Sequence, residues 1–279
     1  MIKLRNDVIP SDKTIKALKD FQDEIDALAT FEEKSKRAKD MFPRKNTKRN
    51  AVFKEIKERI TEMCNSTRRC VYCEDSLADE VEHIYPKDLF PGKCFVWENY
   101  VYACGPCNGP KNNKFAVFKD DDGQFFEVNP PKGTLASEPP PGKTAFINPR
   151  EENPLDYCIL DLAGSFQFVI LDNLTPEKAL KAEYTFNIVL RLNDSEREPI
   201  RQARENAYGM YKARLYQYVK SKIEGANANT LRNIIKQIQG ESHSTVWKEM
   251  QRYHNAGILR DIDEDLDDLF LAEPSALTW

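Results

Sequence analysis

Residues 69–115 read RCVYCEDSLADEVEHIYPKDLFPGKCFVWENYVYACGPCNGPKNNKF. The stretch holds two Cys-x-x-Cys pairs, Cys70/Cys73 and Cys104/Cys107, with thirty residues between the inner cysteines and Glu82-His83 between the pairs. Four thiolates at that spacing are the ligand set of a tetrahedral structural zinc site. A segment this short, with few large aliphatic side chains, buries too little apolar surface to fold alone, and a metal clip supplies the missing stability. With four thiolates bound, Zn²⁺ keeps no position open for water, so any chemistry must come from other residues.

Between and after the pairs, residues 81–84 read as a strand ended by Tyr85-Pro86. Val96-Trp97 and residues 100–102 read as its return, around Asn99. Pro110 is tolerated only in a first helical turn, which sets a helix start near Asn108. Strand, loop, strand and helix, pinned at both ends by zinc, resemble an HNH (ββα-metal) endonuclease of the zinc-clipped kind. EHIYPK is the first strand, WENYV carries the middle Asn, and CGPCNGPK opens the helix. The resemblance implies a phosphodiester hydrolase in which His83 is the general base, Glu82 and Asn108 hold a catalytic Mg²⁺ or Mn²⁺, and Asn99 orients the His-bearing strand. Asn108 stands where many members have His, which narrows the ion to a hard cation. Glu82 replaces the commoner Asp and lengthens the ligand arm.

The residue chemistry is consistent with those roles. A histidine near its ordinary pKa accepts a proton from water, and a hard cation on two protein oxygens keeps positions for a phosphate. Lys87, Lys111 and Lys114 are candidate phosphate ligands, Lys111 and Lys114 falling on one face of the expected helix. A wider similarity takes in the basic approach to RRCVYCE, the later FINPREENP and TFNIVLRLN. It is to the HNH component of Septu-type antiphage systems, and implies a DNA substrate and an ABC/SMC-like ATPase partner docked on the helical C-terminal region. Two rivals stay open: a non-catalytic zinc-dependent subunit that binds nucleic acid or a partner, and an RNA-directed HNH nuclease.

The chain has 279 residues, 31% charged and 41% hydrophobic, an ordinary globular composition with room for a sizeable core. No run of about eighteen apolar residues and no secretory signal is seen, so a cytoplasmic protein without a membrane span is expected. Seven cysteines in that setting read as thiols and metal ligands. Cys64, Cys94 and Cys158 read as small buried hydrophobes, Cys94 lying inside the clip, where its position imitates a ligand's. The net charge of −4 hides an asymmetry. Positions 34–59 carry eleven Lys/Arg against three acids, and positions 255–279 carry seven acids against Arg260 alone. The basic stretch leads into the clip and suits a phosphate backbone.

The expected fold is α+β and mostly helical. Residues 1–65 form a helical lead-in, 66–118 the zinc-bound nuclease core, 119–174 a linker with short strands, and 175–279 a helical region ending in an acidic tail. Helices are expected from Ser11 with Ile15, Leu18, Phe21, Ile25 and Leu28 on one stripe, over 30–40 with a break at Pro43, and from about Asn50. The prolines of NPPKG and EPPPG exclude regular structure over 128–141. Strands are expected at 125–128 and 144–147, with a hairpin of 157–162 and 166–171. Thr175-Pro176 starts a helix, and others cover 195–223, 230–238 and 244–254. His243 and His254 read as helix-end surface or capping residues, and Trp97, Tyr100 and Tyr102 as core.

Overall fold

The computed structural model describes residues 1–64, 68–128 and 137–279. The fold is α+β and mostly helical, with three small antiparallel sheets. Part of the proline-rich segment, 129–136, lies outside the described residues.

Three helices open the chain: α1 (Asp12–Asp26), α2 (Phe31–Lys45) and α3 (Ala51–Met63). Ser11, Thr30 and Asn50 cap them, each side chain accepting a first-turn N–H, and Thr30 with Glu33 forms a capping box. Helix α1 buries Leu18, Gln22 and Ile25, while Ile15 stands 39% exposed. Gln22 replaces it on the inner face because its amide bonds Pro91 O and Phe95 N–H of the loop inside the clip. Helix α2 runs through Pro43 where a break was expected. Pro43 lies two residues from the helix end, and burial of the neighbouring Met41 and Phe42 outweighs one lost ladder bond.

The clip follows as β1 (Glu80–His83), β2 (Tyr100–Ala103) and α4 (Gly105–Lys111). The expected return at Val96-Trp97 is a single 3₁₀ turn, Trp97–Asn99, and the paired strand begins at Tyr100. The helix starts three residues before Asn108, because Cys104 adopts an extended N-cap conformation and Pro106 needs no N–H partner in the first turn. β3 (Phe115–Lys119) then lies centrally between β4 (Phe125–Val128) and β5 (Gly142–Thr144). No strand was expected at β3, and it spans the expected 118/119 domain boundary. Gly142 is required where β5 meets β3: a Cβ there would sit 2.3 Å from Phe118 O. The hairpin of β6 (Cys158–Leu160) and β7 (Phe168–Ile170) lies inside its expected limits.

Helix α5 (Pro176–Glu183) starts at the Thr175 cap and continues as a π-helix, Tyr184–Val189. Then come α6 (Glu198–Ile223), α7 (Ala228–Gln239), α8 (Ser244–Asn255), α9 (Leu259–Ile262) and α10 (Glu264–Ala272). The acidic segment is therefore no tail. Asp263 caps α10, Glu264 and Asp265 occupy its first turn where the helix dipole favours them, and Leu266 and Phe270 are fully buried. His243, the N-cap residue of α8, and His254, in its last turn, stand at helix ends as expected, but not on the surface: His243 is 3% exposed in a left-handed backbone conformation, and His254 is half-buried and pairs with Asp267 at 2.6 Å. No described helix is long and apolar enough to cross a membrane.

One hydrophobic core runs from the N-terminal arm through the clip into the C-terminal helices. Glu74, the residue after Cys73, ties these parts together. Its carboxylate accepts from Thr245 N and Ser244 Oγ at the start of α8 and from the Met1 ammonium. Burial opposes ionisation of Glu74, but these partners hold its pKa at about 2.

Candidate functional site

The four clip cysteines are buried, and their sulfurs all lie within 4.8 Å of one another. Cys73 Sγ and Cys104 Sγ are 3.8 Å apart, the edge of a tetrahedron with metal–sulfur bonds of about 2.3 Å. The cluster thus fits Zn²⁺ in size, donor type and number. Among the thiols, hydrogen bonds from Cys104, Cys107 and Cys70 press Cys73 well below its ordinary pKa, while burial raises Cys70. Arg197, just before α6, donates to Cys107 Sγ at 3.3 Å and also to Pro106 O, so a cation from the C-terminal region faces the thiolate cluster. Cys94 stands apart from it, fully buried with Sγ 3.9 Å from Ala38 O, and burial raises its thiol to about 12. Cys64 and Cys158 are buried as expected.

Strand β1 pairs antiparallel with β2, Glu82 opposite Val101 and His83 opposite Tyr100. Alternation sends Glu80 and Glu82 to one face and His83 to the other. Helix α4 covers the acidic face. Asn108 Nδ2 donates to Glu80, and Lys111 Nζ donates to Glu82 Oε1 at 2.6 Å and to His83 O at 2.8 Å. Glu82 and Asn108 therefore share the β1–α4 face, Glu82 held by Lys111 and Asn108 by Glu80. Lys111, expected as a candidate phosphate ligand, is fully buried and bound to Glu82. Lys114 lies beyond the helix end and off the expected face, after Asn112 with φ +36°. Lys114 and Lys87 are half-buried at the rim, Lys87 with Asp88 at 3.7 Å.

His83 is 4% exposed. Its ring lies edge-on against Phe42 of α2 at 4.3 Å and Tyr100 at 5.3 Å. Nε2 is 2.9 Å from Cys94 O. A carbonyl only accepts, so Nε2 carries the proton and Nδ1 the lone pair. Burial, and then the charge of Lys87, lower its pKa to about 3, against the pull of the Cys94 carbonyl. The imidazole is neutral at physiological pH.

Asn99 clamps the loop that follows β1. Its Oδ1 accepts from Tyr85 N at 2.7 Å, and its Nδ2 donates to Tyr85 O at 3.0 Å and Lys93 O at 2.8 Å. Asn99→Ala would orphan all three backbone groups, and roughly 2–3 kcal/mol of stability is expected to be lost. A urea melt checks this. A loss under half a kcal/mol would mean that water replaces the amide.

Several contributors were missed in the sequence. Arg150, buried, donates to Tyr100 O at 2.9 Å and stacks over Trp97 at 4.6 Å, supporting β2 from behind. Glu80 and Phe42 touch Asn108 and His83. Of these only Arg150, inside FINPREENP, left a trace in the sequence reading, and nothing in that motif says which strand it supports.

Comparison with known proteins adds one relative. Over 61 residues the chain is 43% identical to Septu protein PtuB of Bacillus thuringiensis. The match covers 20% of this chain and 23% of that protein, so it spans about a quarter of the relative's length. No protein-family profile matches the chain, and no solved structure does.

Proposed function

We propose that the chain is a metal-dependent HNH-type endonuclease that hydrolyses DNA phosphodiester bonds, and that it is the effector of an antiphage complex with an ABC/SMC-like ATPase. One observation carries the reading. On a four-cysteine clip, one hairpin and helix assemble Glu82 and Asn108 on a common face, a neutral His83 with its tautomer set, and an Asn99 clamp on the His83 loop. The partial similarity to Septu protein PtuB supports the antiphage role.

In this reading His83 Nδ1 takes a proton from water, the water oxygen attacks phosphorus, and the bond to the leaving oxygen breaks as that oxygen is protonated from solvent. A divalent ion on Glu82 and Asn108 would supply positive charge against the charge developing on the phosphate. Exposed Lys36, Arg37, Lys39, Arg44, Lys48 and Arg49, on α2 and the turn after it, offer the phosphate backbone a cationic approach. Because Phe42 of the same helix covers His83, and His83 ends β1 on the face opposite Glu82, the reading requires α2 to yield at that contact and the end of β1 to turn His83 toward the Glu82 side. Tyr216 and Ile223, seven residues apart on α6 and 57% and 81% exposed, suit a protein partner.

His83→Ala is expected to lower plasmid cleavage in Mg²⁺ by roughly 10²–10⁴-fold while zinc content and folding are retained. Cleavage at the parental rate would sink the proposal. A second reading, the non-catalytic zinc-dependent subunit, draws on the burial of His83 and the Glu82–Lys111 pair. It expects nucleic-acid or partner binding indifferent to His83→Ala, and no cleavage in any metal with or without a partner.

A further inference from the structure

We infer that Lys111 is a built-in lock on the candidate ion site: its ammonium is the resident counter-ion of Glu82, and a divalent cation enters by displacing it, releasing Lys111 toward the phosphate. The inference rests on the nuclease reading above. Lys111 is the last residue of α4, one turn beyond Asn108, and its side chain is fully buried. Nζ touches one oxygen of Glu82 and the carbonyl of His83, so a single cation joins the acid to the backbone of the candidate base. The Phe146 ring centroid lies 5.7 Å from the ammonium on the apolar side. That is the coordination of a cation site, filled by an amine.

An ammonium and a divalent ion cannot share one buried carboxylate, because their repulsion in a low-dielectric pocket far exceeds thermal energy. The incoming ion brings twice the charge, and Asn108, whose Nδ2 contacts Glu80 on the same face, has an amide oxygen to turn toward it. Lys111 stands at the helix end, before a residue that has already left helical geometry, so its four-carbon stem can turn outward where α4 ends. The phosphate role expected for Lys111 then belongs to the ion-loaded state only.

The test reads Mn²⁺ binding to the zinc-loaded full chain by titration calorimetry. Lys111→Met is expected to tighten Mn²⁺ on the order of tenfold or more, since it removes the competitor; Lys111→Arg, which keeps a cation, is expected to stay near the parent. Glu82→Gln is expected to abolish binding in either background. Unchanged or weaker Mn²⁺ binding in Lys111→Met overturns the lock and leaves the nuclease reading standing. Binding that Glu82→Gln does not affect overturns both. A second measurement needs no variant: acetylation of surface amines followed by mass spectrometry. Labelling of Lys111 is expected to rise several-fold on adding Mn²⁺, with Lys114 as the internal reference, and constant protection overturns the lock.

Discussion

Cys104→Ser is expected to lose zinc and to unfold the clip and much of what rests on it. Structural zinc sites contribute on the order of 10–16 kcal/mol in small modules, as much as the whole stability of a typical domain. Here the cluster serves more than its own loops. Cys104 caps α4, the helix that carries Asn108 and Lys111, and Cys107 accepts from Arg197 at the entry to α6. Glu74, one residue past Cys73, holds the first turn of α8. Losing the metal protonates the thiols and weakens the Arg197–Cys107 contact, so the damage reaches the entry to the C-terminal helices. Zinc content by mass spectrometry, together with a thermal melt, checks this. The expected result is less than one equivalent of zinc and a midpoint lowered by ten degrees or more. A variant that melts with the parent would show that hydrophobic packing alone holds the hairpin, and that the cysteines are ordinary core.

What could be read ahead of the structure follows a rule of separation along the chain. The cysteine pairs, the Glu-His strand, the caps at Ser11 and Thr175, the helix start near Asn50, and the helical spacing of α6 to α8 are local patterns, and each element formed close to where it was expected. Local misses were of a few residues, at Pro43, at the start of α4 and at the unexpected β3; the larger failures are long-range. His83 meets Phe42 from another helix, and Arg150 reaches Tyr100 across fifty positions. Glu74 finds Thr245 across 171. No periodicity encodes such partners. The acidic segment misled for a related reason: its Leu266 and Phe270 could be assigned to the core only once something was there to pack against them. The Glu82 partner of Lys111 was not legible either, because only the course of β1 shows which side α4 covers.

A phenylalanine would serve the fold at position 83 as well as the histidine does, which makes His83→Phe the sharpest separation of stability from function. The ring lies in an aromatic pocket of Phe42 and Tyr100, and Tyr100 Oη also donates to Cys94 O at 2.7 Å, so that carbonyl keeps a partner when the imidazole is gone. The histidine carries an acid liability. Its pKa falls from 6.5 in the unfolded chain to about 3 in the fold, so between those values the unfolded state binds the extra proton and stability declines as pH falls. By pH 4.5 that linkage amounts to about 2.5 kcal/mol. Zinc–thiolate protonation and the titration of Glu74 act on both proteins and cancel in the difference. His83→Phe is therefore expected to match the parent within about 1 kcal/mol at pH 7, to exceed it by about 2–3 kcal/mol at pH 4.5, and to be inactive in plasmid cleavage. Denaturant melts at the two pH values give the first two results. Equal stability at pH 4.5 would mean that the imidazole titrates in the fold near its ordinary value, hence is open to solvent, and would overturn the burial of His83 while leaving it a neutral base at pH 7. A more acid-resistant but inactive protein would show a buried histidine kept at a site where packing alone favours a hydrocarbon ring.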